Sequence, residues 1–263
     1  MKKRLISAIV ALIIVIPLII LGGYPFYIGL ALISIIGYKE FLDLKVDHKP
    51  IPAVVGILGL FCLCLFIITN INNTGLFSIL STQNLVIALL FLITPIIFYK
   101  DDAYTTHDAL YLLGVVIFLG VSFSLIGAAR LRGLDFFCYL LLIPIITDTF
   151  AYIMGSKIGK NKLCPRISPN KTWEGSISGF VAGTIIGIII YGIFVDKITL
   201  FVVLSTAILS IVGQMGDLVL SKVKRENKIK DFSNLMPGHG GVMDRLDSLI
   251  FVTLTYFLLI TIF

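Results

Sequence analysis

The last 27 residues, "PGHGGVMDRLDSLIFVTLTYFLLITIF" (237–263), set a glycine-rich charged segment directly against an apolar run. Gly238, Gly240, Gly241, His239, Asp244, Arg245 and Asp247 crowd the first half, and no charged residue follows Ser248. Composition decides whether that run is the core of a globule or a membrane helix. Of 263 residues, 58% are hydrophobic and only 14% charged, with a mean hydropathy of +1.04. Soluble domains carry about 25% charged residues, so the chain reads as an all-α, polytopic integral membrane protein. The net charge of +6 suits anionic headgroups and phosphates. Nucleic acid would need a basic soluble face, and none is found.

Working outward from this end, apolar runs predict about nine transmembrane helices, near 5–22, 25–38, 51–69, 84–99, 109–128, 135–154, 175–195, 199–220 and 248–263. Each approaches the length needed to cross about 30 Å of hydrocarbon. The first begins "MKKRLISAIVALIIVIPLIILGG", which has the basic flank of a signal peptide but no small-x-small cleavage site, so it is expected to stay as a helix. With the N-terminus in the cytoplasm, all of the 21 Lys and Arg except Arg130, Arg132 and Lys197 fall inside. The two arginines of "AARLRGLD" (128–135) break the rule locally. The expected organisation is one continuous membrane unit: N-terminal helices over 1–134, then a catalytic region over 135–263 with cytoplasmic loops at 155–174 and 221–247. The expected location is the cell membrane of a prokaryote.

Some residues carry no special signal. Cys62, Cys64, Cys138 and Cys164 are scattered without zinc-type spacing, and three lie in apolar segments as small hydrophobes. His48, Asp101, Asp102 and His107 read as solvated, and Trp173 as an interfacial anchor. The loop 70–83 is uncharged.

The chemistry concentrates in the second half. Carboxylates within membrane helices are costly, by something like 2.5–3.5 kcal/mol at the centre. Yet Asp148, Asp217, Asp244 and Asp247 all lie in or against predicted helices. Asp244 and Asp247 share a helix face, and Gln214, Asp217, Ser221 and Lys224 share another. Gly213 and Gly216 leave room for a close neighbour or a ligand. Any one aspartate could simply pair with a Lys or Arg. Several helices bringing carboxylates to one membrane face predict a site, and such a cluster suits a hard cation such as magnesium. The glycines around His239 predict backbone amides turned toward an anion at a helix start. Arg245 adds a phosphate-binding group, so the stretch reads as polyphosphate plus metal. The loop "SKIGKNKLCPRISPNKTWEG" (156–175) supplies Lys157, Lys160, Lys162, Arg166 and Lys171, with Ser168, Pro169 and Thr172 in an ordered turn and Glu174 opening the next helix.

These residues resemble a known family. "SKVKRENKIKDFSNLMPGHGGVMDRLDS" (221–248) is similar to the signature of phosphatidate cytidylyltransferases, with Ser221, Lys224, Arg225, Lys230, Asp231, His239, Gly240, Gly241, Asp244, Arg245 and Asp247 in register. "DTFAYIMGSKIGKNKL" and "ISPNKTWEG" look like further blocks of that family. Asn170 stands where it usually has a second Lys, and Met236 where it has Leu, Ile or Phe. The resemblance is strong over about the last half of the chain. It implies a multi-helix membrane enzyme, a homodimer, with its site open to the cytoplasm and laterally to lipid. The implied reaction is CTP plus phosphatidic acid giving CDP-diacylglycerol and pyrophosphate. On this reading Asp217, Asp244 and Asp247 hold magnesium, with Asp148 a fourth ligand and a second cation left open. Lys224, Arg225, Arg245, His239 and the amides of Gly240 and Gly241 hold the triphosphate. Ser221 joins the substrate-binding set, and Lys171, Ser168 and Arg166 take the lipid phosphate.

The nearest alternative is a CTP-dependent lipid kinase of the polyprenol or dolichol type, which attacks the γ-phosphorus. The full string from Lys230-Asp231 to Asp247 argues against it. A CDP-alcohol phosphotransferase would show a paired Asp-Gly…Ala-Arg block that is not found. A cation transporter could use helix aspartates but has no need of a glycine-rich phosphate loop.

Overall fold

A chain this apolar must satisfy its backbone N–H and C=O groups internally, and helices do so within one segment. The computed structural model describes residues 2–44, 50–71, 81–100, 103–236, 238 and 240–263, without the side chains of 2–6 and 8. Among these residues there are nine α-helices: α1 (Lys2–Leu21), α2 (Gly23–Asp43), α3 (Ala53–Thr69), α4 (Thr82–Ile93, continued by a 3-10 turn at Thr94–Ile97), α5 (Thr106–Leu131), α6 (Leu134–Ile158), α7 (Trp173–Phe194), α8 (Leu200–Glu226) and α9 (Met243–Ile262). Each overlaps one predicted run. Six of them, α2 and α5 to α9, are long and apolar enough to cross a membrane, while α1, α3 and α4 supply shorter apolar stretches. A small antiparallel hairpin, β1 (Lys162–Cys164) and β2 (Ser168–Thr172), interrupts the helices between α6 and α7. His48, Asp101, Asp102, His239 and most of the 70–83 loop lie outside the described residues. His107 is exposed in the first turn of α5. Cys62 is buried, and Cys64, Cys138 and Cys164 are half-buried free thiols.

Two boundaries differ from expectation. α8 runs past the expected end of its span at 220 to Glu226, so the helix carries the whole Gln214–Asp217–Ser221–Lys224 stripe and Arg225 as well. α9 starts at Met243, in line with the helix start expected near Val242, with Asp244 and Asp247 in its first two turns. The expected outer loop at 128–135 shrinks to Arg132 and Gly133 between α5 and α6.

The chain divides into two compact units. The first holds Met1–Leu131 with Asp231–Met243. Its core includes Leu63 and Phe66 of α3 and Leu112, Leu119 and Phe123 of α5, all fully buried. Arg130 closes the end of α1: its guanidinium donates to the carbonyls of Ile19 (2.7 Å) and Ile20 (3.1 Å). Helix C-termini favour such a cation, which accounts for one of the misplaced arginines.

The second unit holds Arg132–Lys230 with Asp244–Phe263. Here α6 and α7 approach closely because α7 places Gly175, Gly179, Gly183 and Gly187 on its buried face. A Cβ on Gly179 would overlap the backbone of Thr147 in α6. On the other side of α7, Ile177, Val181, Ile185 and Ile189 are exposed, a face suited to hydrocarbon. Arg132 lies 5.0–5.8 Å from the rings of Phe136, Tyr256 and Phe257, within cation–π range.

Candidate active site

The polar stripe on α8 begins with Gln214, which locks onto α7. Ser176 Oγ donates to its Oε1 (2.7 Å), and its Nε2 donates to the Ser176 carbonyl (3.3 Å). Gln214 is thereby structural. The space at Gly213 and Gly216 is filled by neighbouring side chains: Val252 crowds the first and Phe251 the second.

One turn further, Asp217 meets the rest of the second unit. Its Oδ2 is in direct contact with the Lys171 ammonium from β2, and each side chain is about a quarter exposed. Ser221 Oγ lies 3.5 Å from its other oxygen. The carboxyl groups of Asp217 and Asp247 are within hydrogen-bonding reach of each other. Asp247 is 8% exposed, and its Oδ1 accepts from the Ser248 backbone amide (2.7 Å). Asp148, on α6, interacts with Lys171 and Asp217 and reaches Ser248. Four elements thus bring Asp148, Lys171, Asp217 and Asp247 together.

Asp244 takes a different partner. Lys224 Nζ donates to its Oδ1 at 2.6 Å, with both side chains less than a tenth exposed. The expected four-carboxylate ligand set is therefore split, and among the described residues no group of three or more Asp, Glu, His or Cys is drawn tight enough to enclose a metal. Magnesium rarely needs such a cage: one or two carboxylates suffice when waters and substrate phosphates complete the octahedron. The Asp217–Asp247 pair fits that requirement. Two carboxylates this close repel unless a proton or a cation lies between them. Counting formal charges, four aspartates against Lys171 and Lys224 leave minus two, the deficit one divalent cation would fill.

The 155–174 loop is tied down locally. Glu174 accepts from the backbone amides of Lys160 (3.2 Å) and Asn161 (3.1 Å) and from Asn161 Nδ2 (2.8 Å). Thr172 Oγ1 accepts from the Gly175 amide (3.2 Å), capping α7. Arg225, expected on phosphate, donates to the carbonyls of Ile167 (3.3 Å) and Ile229 (3.0 Å), linking the hairpin to the end of α8. Ser168 opens β2, and Arg166 is exposed between the strands. Arg245 is exposed on α9.

The glycine loop belongs to the first unit and differs most from expectation. Met236 and Gly240 exchange both backbone hydrogen bonds (3.0 and 3.1 Å), so the Gly240 amide is engaged inside the loop. Gly238 and Gly240 adopt φ of 80° and 84°. At the start of α9, the amides of Val242 and Met243 donate to the carboxylate of Glu40 (2.8 Å each). Ser233 Oγ donates to the same group (2.6 Å). The helix-start amides expected to face a phosphate face an internal carboxylate. Sequence reasoning missed Glu40, Ser233 and the involvement of Ser248. Glu40 sits between Lys39 and an aromatic at the edge of an apolar run, where an acid reads as an ordinary interfacial charge.

Comparison with known proteins extends beyond the signature. A model of the "Cytidylyltransferase family" matches residues 2–263. Proteins named phosphatidate cytidylyltransferase are similar along their lengths: 36% identity over 255 residues in Staphylococcus haemolyticus, the same in Staphylococcus saprophyticus, and 35% over 256 residues in Staphylococcus aureus. In each case 96% of this chain and 96% of the relative are covered. The match includes the N-terminal helices, where the sequence offered only apolar spans, and with it the chain belongs to the cytidylyltransferase family.

Proposed function

We propose that this protein transfers CMP from CTP to phosphatidic acid, giving CDP-diacylglycerol and pyrophosphate, and that the chemistry centres on Asp217 and Asp247. The observation that carries the site is the meeting of these two carboxylates from separate helices beside Lys171. The names borne by the relatives support a cytidylyltransferase over a lipid kinase.

The lipid phosphate is already an anionic nucleophile, so no general base is needed to make one. One of its oxygens attacks the α-phosphorus of CTP. The new P–O bond forms as the bond to the β-phosphate bridging oxygen breaks, and pyrophosphate leaves with that electron pair. What opposes the step is repulsion between anions and the cost of alignment, which fixed cations and positioned groups lower. Asp217 and Asp247, with Asp148 beside them, would hold magnesium, which supplies charge neutralisation at the phosphates. Lys171 offers an ammonium at the same carboxylates and, with Ser168 and Arg166 of the hairpin, is our choice for the lipid phosphate. Lys224 can exchange Asp244 for a phosphate oxygen, which leaves Asp244 able to join the cation. Arg245, Arg225, Ser221 and His239 complete the proposed triphosphate contacts. Gly240 and Gly241 serve there by shaping the loop.

The same reading has all nine helices crossing the membrane, the N-terminus and both charged loops in the cytoplasm where CTP is made, and a homodimer as the working form. The basic-residue asymmetry supports the orientation, and the family resemblance supports the dimer.

The test is purified protein with phosphatidic acid, magnesium and CTP labelled at either the α- or the γ-phosphorus. Only α-label should enter lipid, γ-label should leave as pyrophosphate, and chelation should stop both until magnesium is restored. Lipid carrying γ-label would establish the kinase instead.

A further inference from the structure

A helix start exposes several amide donors, and Ser, Thr, Asp or Asn immediately before it normally accepts from them. The residues before α9 are Gly240, Gly241 and Val242, which offer no side-chain acceptor. The chain brings one from far away. Glu40, in α2, is 2% exposed, and its carboxylate spans the gap: Oε1 accepts from Val242 N and Ser233 Oγ, and Oε2 from Met243 N. These contacts bridge 193 to 203 residues of sequence. A carboxylate with both oxygens on amides at a helix start sits as an anionic ligand would.

Gly241 is part of the same arrangement. A Cβ there would overlap Glu40 Oε1 and come within 2.8 Å of Ser233 Oγ. Its backbone is not in the left-handed region that Gly238 and Gly240 occupy, so its glycine answers to the Glu40 carboxylate.

We propose that Glu40 is a positioning residue for the reaction: it fixes Ser233 and the start of α9 at Val242 and Met243, and so sets where the chain enters Asp244-Arg245-Leu246-Asp247. This rests on the reading of Asp244, Arg245 and Asp247 as site residues. Glu40 need not touch substrate. It acts through the segment it holds, and loosening that segment weakens the hold on CTP while leaving phosphatidic acid recognition intact.

The experiment uses the full chain in detergent, comparing wild type with Glu40→Gln, Glu40→Ala, Gly241→Ala, the Glu40→Ala/Gly241→Ala double variant and Asp217→Asn. Initial rates against CTP and against phosphatidic acid are taken on the monodisperse fraction, and melting is followed in parallel. Glu40→Ala should raise KM for CTP about tenfold with KM for phosphatidic acid within about twofold, the mark of lost binding rather than lost protein. Glu40→Gln keeps one carbonyl acceptor but sets an NH2 against an amide, so it should fall between wild type and alanine. Gly241→Ala should impair the wild type, where its methyl meets Glu40, and add little in the Glu40→Ala background. A defect that lowers only the folded fraction and leaves KM unchanged overturns the proposal. So does a lowered KM for CTP, which would make Glu40 a competitor of the phosphates, or a Gly241→Ala penalty that is equal in both backgrounds. Should Glu40→Ala not fold, Glu40→Gln and Gly241→Ala decide on the same KM criterion. An active Asp217→Asn would remove the site reading, whereas an inactive Asp217→Asn beside normal Glu40 variants would remove this inference alone.

Discussion

The two charged segments, 155–174 and 221–247, look alike in the sequence and are built in opposite ways. The first is stitched within itself. Its strands pair, Thr172 caps the helix that follows, and Glu174 reaches back 13 and 14 residues to close the turn. The second is not self-contained. Its opening residues extend α8 and its two ends meet at Lys224 and Asp244, but the glycine loop between them depends on Glu40 from 202 residues away. A locally stitched loop can be altered at one contact while the others keep its shape. A remotely held one transmits a lost contact to everything it carries. The carboxylates flanking the second segment should therefore be the sensitive ones.

The largest effect is expected there. Asp217→Asn and Asp247→Asn each remove half of the paired carboxylates and should cut CDP-diacylglycerol formation by about a hundredfold or more, with the protein still monodisperse in detergent. Raising magnesium should recover part of the loss if the pair holds the cation. Rates near wild type in both variants would move the chemistry away from α8 and α9.

Lys224→Met comes next. Its ammonium and the Asp244 carboxylate are both buried, and removing one member of such a pair typically costs about 3–5 kcal/mol because the other is left uncompensated. Melting should fall and activity with it. Adding Asp244→Asn should recover much of the melting temperature by removing the stranded charge, and none of the activity. Recovery of activity would make the pair purely structural.

Gly240→Ala leaves every charge in place. At φ 84° an alanine is strained by about 1–2 kcal/mol, and the Met236–Gly240 bridge must shift to relieve it. An increase in KM for CTP of about tenfold is expected. A silent substitution would show that the loop tolerates reshaping, and would break the contrast drawn above.

What could be read from the sequence follows the same division. The nine helices among the described residues were visible as apolar runs, because an apolar chain without water must satisfy its backbone internally. Asp148, Asp217 and Asp247 were visible because charge in such runs is expensive. The split between the Asp217–Asp247 pair and the Lys224–Asp244 pair was not, since helical spacing puts Asp244 and Asp247 on one face without fixing their partners. Glu40 was hidden for a stronger reason. Nothing near residue 40 shows that a helix start two hundred residues later lacks a cap, although "GGVM" at 240–243 does show the lack itself.

The smallest effect belongs to the first segment. Thr172 is 5% exposed and supplies the cap of α7. Replacing it by alanine should cost about 1 kcal/mol, the usual worth of a hydroxyl cap, while Thr172→Ser keeps the hydroxyl and should cost less. The hairpin register, the Glu174 contacts and the Arg225 link remain in the alanine variant, so Lys171 should still reach Asp217. The expected result is a melting temperature lower by roughly a few degrees and a KM for phosphatidic acid within about threefold of wild type. Thermal melting and lipid-dependent initial rates read the two quantities separately. If Thr172→Ala instead raises KM for phosphatidic acid by more than about tenfold, the hairpin depends on its cap to present Lys171, and the two segments are equally fragile.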